Sequence, residues 1–333
     1  MQFEKAAREL YEMQLNEVYP LVATQAGALF PSRMRSQVED FKGKDIISPF
    51  IKEVKKYGIR VHAWIVSLNF YNERFMTENK ELYVVNKNGV SCLVSPSYVS
   101  QYKWLCPSRE EVKENLADTF LEVAERFDVD GLHFDYIRLP DILLPIGLRG
   151  AYEGVPKEDL LQPQCDFCYC DVCRSRYKEE TGIDPINLKY VEPEYGRWFR
   201  WRADRITEVV KNVYKKVKHY DLSIEVSAAV FATPKLSYEY VFQDWTTWGL
   251  DIYNPMIYHR YYGQPTEWIG EAVREGVLRG TRLSAGVLIG FMKDQKDNYN
   301  GFKAALDNGA SGITIYAYPP PKPEMKEWIR HAF

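Results

Sequence analysis

A parallel β/α barrel whose first strand is missing or atypical is the fold this sequence predicts, and three observations predict it. Amphipathic helical stretches alternate with short apolar runs of strand character along the chain, which is the signature of βαβ units and a parallel sheet. Seven such runs follow an initial helix, one fewer than a closed (β/α)8 barrel requires. The length, 333 residues, sits within the range of roughly 200–400 residues spanned by one barrel domain. The count also fits a seven-stranded or open sheet.

The elements follow in order. Residues 3–15 read as an amphipathic helix, and 16–23 (NEVYPLVA) as a strand that Pro20 makes irregular. Residues 49–57 read as a helix stopped by Gly58, and 59–66 (IRVHAWIV) as the next strand. A long helix is expected over 109–127, with Ser108 ahead of Arg109-Glu110-Glu111 as a capping box. The run 131–135 (GLHFD) is a buried strand. A helix over 195–218 precedes a strand at 223–230, and another strand at 251–257 precedes a helix near 266–279. The strand 283–288, the helix 298–308 stopped by Gly309, the strand 312–316 and a closing helix at 323–331 complete the pattern. The whole chain, 1–333, is expected to form one barrel domain. Two insertions, about 67–107 and 139–195, follow strands and so are expected above the C-terminal face, where barrel enzymes carry their active sites.

Composition narrows the function. Apolar residues make up 46% and charged residues 27%, as in ordinary soluble globular proteins. No run approaches the roughly 18 apolar residues of a membrane span, so no membrane partner is expected. The first residues carry no apolar signal-peptide core, and a cytoplasmic location is the expectation, with secretion the alternative for a chain trimmed of an N-terminal segment. Lys and Arg number 43 against 46 Asp and Glu, a net charge of −3; without a basic excess or stripe, nucleic acid is not an expected partner. The 24 Tyr, 16 Phe and 8 Trp supply flat faces that suit both a large core and a sugar site. Only five His occur, which weighs against barrel hydrolases and deacetylases built on a histidine-held catalytic zinc. Oligomeric state is left open.

The most informative segment is 129–140, VDGLHFDYIRLP. Side chains alternate along a strand, so His133 and Asp135 share a face, which in a barrel is the interior. A carboxylate there is costly to bury unless paired. Arg138 is near enough in sequence to pair with it, so Asp135 reads equally as a structural clamp and as a functional acid.

This segment resembles the fourth-strand motif of the glycosyl-hydrolase-like barrel proteins. The similarity extends to IRVHAWI at 59–65, Leu105-Cys106-Pro107-Ser108, the stretch from Trp201 to Phe231, and DIYNPMIY at 251–258. It spans about residues 1–318. The resemblance implies a TIM barrel, a carbohydrate substrate and Asp135 as the catalytic carboxylate of a glycosidase. Beside Arg138 its pKa would be lowered, as suits a nucleophile or transition-state stabiliser. Glycoside cleavage uses two carboxyl groups. The candidates for the second are Asp244, which reads also as a helix N-cap, then Glu225, then Asp141. Some members of the group carry an acidic residue where this chain has Ala229, so a carbohydrate-binding barrel without a complete catalytic pair is the alternative. Rim positions nominate His62, Trp64, Asn69, His133, Arg138, Asn254, Tyr258, His259 and Tyr316 as substrate-binding residues, with Tyr318 beside them; each fits barrel filling equally.

Four of the six cysteines crowd into CDFCYCDVC, residues 165–173. The C-x-C and C-x-x-C spacings of Cys168, Cys170 and Cys173 converge thiolates on one point, as a structural zinc requires. The alternative, a disulfide framework, is not needed by a chain of this size. The following helix resembles the cysteine-motif helix of family-42 β-galactosidases, and that resemblance implies Cys106 as the fourth ligand, with Cys165 as its rival. Four thiolates would leave no open coordination position.

Overall fold

The computed structural model describes residues 2–152, 155–156, 158–277 and 282–332. Its centre is one parallel, curled sheet. Strand β1 (Glu17–Val18) and strand β2 (Leu21–Ala23) lie end to end along β3 (Arg60–Val66); β4 (Gly131–Asp135), β5 (Glu225–Phe231), β6 (Ile252–Met256), β7 (Arg282–Leu288) and β8 (Gly312–Tyr316) follow in order. Pro20, which has no N–H to give a ladder, falls in the break between β1 and β2. The sheet curls far enough for contacts across its interior. Asn254 on β6 donates to the Tyr19 hydroxyl at 3.4 Å, and the rings of Trp64 on β3 and Tyr316 on β8 lie 6.1 Å apart. Among the described residues β8 pairs only with β7, so the curl is not closed by a β8–β1 ladder.

Eleven α-helices accompany the sheet among the described residues. These are α1 (Gln2–Glu12), α2 (Ile47–Lys55), α3 (Glu73–Glu78), α4 (Glu110–Arg126), α5 (Ile146–Arg149), α6 (Asp171–Thr181), α7 (Pro193–Tyr220), α8 (Pro234–Val241), α9 (Trp268–Gly276), α10 (Gln295–Asp307) and α11 (Met325–Arg330). The seven sequence-expected strand runs all form, within a few residues. The helix expected near 266–279 is α9, and positions 278–279 lie outside the described residues. Ser108 does not build the expected capping box: Arg109 holds the N-cap position of α4 without a side-chain cap, and the Ser108 hydroxyl instead accepts from the Cys173 thiol at 3.1 Å. Helix α8 lay outside the sequence reading, although Thr233 caps it through the Leu236 N–H and Pro234 stands in its first turn.

The apolar side chains of β3, β4, β5 and β7 that face outward bury against the helices, including Val61, Ala63, Ile65, Leu132, Phe134, Val226, Ala228, Val230, Ala285 and Val287. The inward set is more polar than the Val/Ile/Leu layers usual in such barrels: Tyr19, His62, His133, Ser227, Asn254 and Thr314 hydrogen-bond or pack with one another there. No helix is long and apolar enough to cross a membrane among the described residues.

Candidate active site

A cavity of about 1180 Å³ opens within the curl of the sheet. Asp135 lies in it because it ends β4, and its side chain follows His133 on the inner face. Its two oxygens are held separately. Trp64 Nε1 donates to Oδ2 at 3.0 Å, and the Tyr136 backbone N–H donates to Oδ1 at 2.7 Å. Tyr136 adopts φ +51°, a left-handed conformation uncommon for a non-glycine residue and costly away from a constrained site.

The expected Asp135–Arg138 clamp does not form. Arg138 pairs instead with Asp141, Nη1 to Oδ2 at 2.9 Å, and its guanidinium lies 4.7 Å from the Trp104 ring centre and 5.3 Å from that of Tyr136. Burial therefore dominates Asp135 and pushes its carboxyl up to about 6, against the lowering pull of the Tyr136 N–H, Arg138 and Trp64. The lowered value expected from the sequence is overturned, because the nearest cation is already committed to another carboxylate. Burial likewise raises the phenol of Tyr258, and the nearby Asp135 adds to the rise, so Tyr258 stays a neutral hydrogen-bond donor on the cavity wall. His133 bonds the Ser227 hydroxyl through Nδ1 at 2.8 Å, and burial lowers its pKa to about 3, leaving a neutral ring.

Of the three carboxylates ranked as partner to Asp135, only the last, Asp141, shares its cavity. Glu225 begins β5 and registers opposite Gly131, the start of β4. It therefore stands four residues, about 13 Å along the strand, from Asp135, at the N-terminal end of the sheet. There it pairs with Arg60 and Arg282, each at 2.5 Å. Asp244 faces the helical layer and pairs with Arg200 of α7, without capping the short turn it precedes.

The substrate-binding candidates divide in the same way. Trp64, His133, Arg138, Asn254, Tyr258, Tyr316 and Tyr318 line the cavity. His62 does not: it is fully buried at the N-terminal end, 3.3 Å from Glu17 and 3.6 Å from Glu225. Asn69 accepts from the Lys103 backbone N–H at 3.2 Å and is buried away from the cavity, and His259 packs its ring against Phe291. Sequence reasoning missed Tyr102, Tyr136 and Tyr152 on the cavity wall. Tyr136 had a signal, its place directly after Asp135; the others lie on irregular segments whose direction no periodicity gives.

The sulfurs of Cys106, Cys168, Cys170 and Cys173 form a compact buried group. Cys106 Sγ lies 3.6, 3.5 and 3.4 Å from those of Cys168, Cys170 and Cys173, and Cys173 Sγ lies 3.4 Å from both Cys168 and Cys170. Cys165 stands apart, beside Tyr98. Cys170 and Cys173 flank the start of α6, and Cys106 precedes α4, so the cluster ties two helix starts together.

A family model described as Glycosyl hydrolase-like 10 matches residues 1–143 and 149–291. The glycosyl hydrolase DigH of Escherichia coli K12 is 27% identical over 142 residues, covering 38% of this chain and 31% of that protein; the chain thus spans about a third of the length of the curated relatives it matches. Among solved structures, the glycoside hydrolase domain of PgaB (BpsB) from Bordetella bronchiseptica superposes with a TM-score of 0.68 at 14% identity, covering 99% of this chain and 92% of that one. The alpha-L-fucosidase isoenzyme 2 of Paenibacillus thiaminolyticus gives 0.66 at 13% identity, covering 99% and 45%. A GH42 beta-galactosidase from G. stearothermophilus gives 0.64 at 13%, covering 95% and 48%. At these identities the structures establish the fold alone.

Proposed function

The chain belongs to the glycosyl hydrolase-like 10 family, and we propose that it cleaves glycosidic bonds of a poly- or oligosaccharide with Asp135 as its proton donor. One observation carries the reading: a carboxyl group at the C-terminal end of a barrel strand, lining an aromatic cavity and raised to about 6 by burial. A group so placed holds a proton near neutral pH and can hand it to the leaving oxygen of a glycoside. Asp141 is the second carboxyl of this reading. It forms a buried ion pair with Arg138 at 2.9 Å, and the reading gives it the part of base or nucleophile. Trp64 fixes the donor, and Tyr258 and Tyr316 offer the phenol and ring faces that hold a sugar. We read the whole chain as one barrel domain, with 67–107 and 139–195 as insertions over the C-terminal face; Tyr102 and Tyr152 on the cavity wall support this.

The test is release of reducing ends from a panel of plant, fungal and bacterial cell-wall polysaccharides. Asp135→Asn should lower kcat by at least about a thousandfold with the fold intact by circular dichroism. Full turnover in that variant overturns the assignment. The second reading, a carbohydrate-binding barrel, is favoured by Ala229 and by the commitment of Asp141 to Arg138. It predicts sugar binding by calorimetry, with no product from any polysaccharide, in the unsubstituted chain.

We further propose a structural zinc on Cys106, Cys168, Cys170 and Cys173. The sulfurs fit such an ion: four thiolates at the usual zinc–sulfur length of about 2.3 Å stand about 3.8 Å apart in a tetrahedron, close to the 3.4–3.6 Å separations here. A reducing, cytoplasmic compartment suits these thiols. Elemental analysis should find about one zinc per chain, lost in Cys106→Ala and retained in Cys165→Ala; retention in the former sinks the ligand set.

A further inference from the structure

We propose that a notch beside the main cavity, between the segments that follow β5 and β6, is a second sugar subsite that takes one uncharged unit of the same glycan. The inference rests on the glycosidase reading for its glycan and extends that reading to a preference for long chains.

A separate cavity of about 250 Å³ lies there. One wall comes from Thr233 to Tyr240, after β5, and the other from Tyr262 to Trp268, after β6. Both segments leave the C-terminal ends of their strands, so the notch lies at the same end of the sheet as Asp135. Tyr262 lines both cavities and is the wall between them. Its ring lies 6.4 Å from that of Phe231, which lines the main cavity, and 5.3 Å from that of Trp268, which lines the notch. Three rings thus lead outward from one cavity to the other, and sugar rings can lay their C–H faces on such surfaces. The roof is held by a close backbone approach. A Cβ at Gly147 of α5 would lie 2.1 Å from the Arg260 carbonyl oxygen, and this contact seats the neighbouring Ile146 on the notch with 58% of its surface exposed.

The polar groups define the occupant. Among the described residues, the side chains of Lys235, Tyr240, Gln264 and Trp268 have no hydrogen-bond or ion-pair partner, although Tyr240 and Trp268 are half-buried. Glu275 accepts from the Lys235 backbone N–H at 3.3 Å and keeps its other oxygen free. One cation, one carboxylate, an amide, a phenol and an indole N–H offer donors and acceptors without net charge, beside the apolar surfaces of Tyr262 and Ile146. That combination fits a hydroxylated ring with an apolar face, and gives no reason for a charged or wholly apolar ligand. The volume falls below the roughly 300–1,000 Å³ of sites for drug-sized molecules, which leaves room for one sugar unit. A glycan held in both places gains affinity because its second contact is intramolecular.

The experiment measures binding by calorimetry to the Asp135→Asn chain, with oligosaccharides of cellulose, xylan, mannan, galactan and chitin from two to eight units. Affinity for the ladder that binds should rise in a step of at least about tenfold once the chain is long enough to reach the notch. Adding Trp268→Ala should remove the step and leave the shorter members unchanged within about twofold. Gln264→Ala, an exposed change, should lower the step by about threefold and decides the matter where circular dichroism shows Trp268→Ala to be unfolded. A step untouched by the notch substitutions overturns the proposal, as does an equal loss for short and long members, or the absence of binding to every ladder. Release of reducing ends from the same ladders by the unsubstituted chain tests the glycosidase reading separately. A Trp268-dependent step without any product overturns that reading and leaves the subsite standing.

Discussion

The two ends of the barrel interior hold carboxylates under opposite conditions. At the N-terminal end, Glu17 and Glu225 face Arg60, Arg282 and His62, a set in which each carboxylate has a cation within 3.6 Å. At the C-terminal end, Asp135 has two neutral N–H donors and no cation of its own. The first arrangement compensates burial and holds the fold. The second leaves the carboxyl short of compensation, and its proton affinity rises. What separates a structural acid from a chemical one here is whether a cation was left for it, since both ends are largely shielded from water and both hold an inward-facing His. Even the glycine of β4 serves the first end: a Cβ at Gly131 would lie 2.3 Å from His62 Nδ1, so His62 can reach its carboxylates only past a residue without a side chain.

Neutralising one carboxylate at each end should therefore move stability in opposite directions. Glu225→Gln leaves Arg60 and Arg282 under-compensated and should cost about 2–3 kcal/mol, somewhat less than a fully buried pair because the side chain keeps partial solvent contact. Urea denaturation at pH 7 measures it, and a neutral result would mean the N-terminal cluster is not a structural clamp. Asp135→Asn should stabilise the protein by about 1–2 kcal/mol at pH 8, the relief of ionising a carboxyl that burial has pushed up to about 6, less one lost hydrogen bond. Ionised Asp135 costs the folded state from about pH 4 upward, and the full cost is present above about pH 6. The gain should accordingly vanish below pH 4, and a variant that is less stable at pH 8 would show that Asp135 is compensated after all.

Glu17 provides the complementary pH dependence. Burial alone would raise its carboxyl, but His62, Tyr19 and Arg60 together outweigh burial and lower it to about 2. A lowered carboxyl contributes stability above its unfolded value and loses it as pH falls. The Glu17→Gln variant should be less stable than the parent by about 1–2 kcal/mol at pH 7, with the difference closing between about pH 4.5 and pH 2. A constant difference over that range would assign the loss to packing.

The contrast between the ends also shows what the sequence made legible. Strand β4 and the inward position of Asp135 followed from alternation over five residues, and the strands from β3 to β8 followed from short apolar runs between helices. Which end of a strand a residue occupies was also readable for Asp135, but Glu225 was ranked as a partner although it begins its strand. The pairing of Arg138 was not legible. Arg138 is three residues from both Asp135 and Asp141, and only the left-handed turn at Tyr136 decides which of them it meets. Cys106 was joined to the 168–173 triplet by resemblance, because no spacing links residues more than sixty positions apart. Asp244 failed for the same reason in reverse: its partner, Arg200, lies on a helix the sequence placed but could not orient.

The finest test of the comparison is at Trp64, which touches Asp135 without carrying charge. Its indole N–H donates to Oδ2 at 3.0 Å and so favours the ionised carboxyl, partly offsetting burial. Trp64→Phe removes that donor while keeping an aromatic ring near Tyr316. With burial unchanged and one fewer donor, the pKa of Asp135 should rise further, by about half a unit to one unit. If Asp135 acts as the acid, activity falls as pH rises through its pKa, and that limb of the pH profile should move to higher pH by the same amount. The acidic limb should stay in place, because the Trp64 N–H donates to Asp135 and not to Asp141. A shift of both limbs would mean that the substitution disturbs the whole cavity, and no shift in the alkaline limb would mean that this limb belongs to a group other than Asp135.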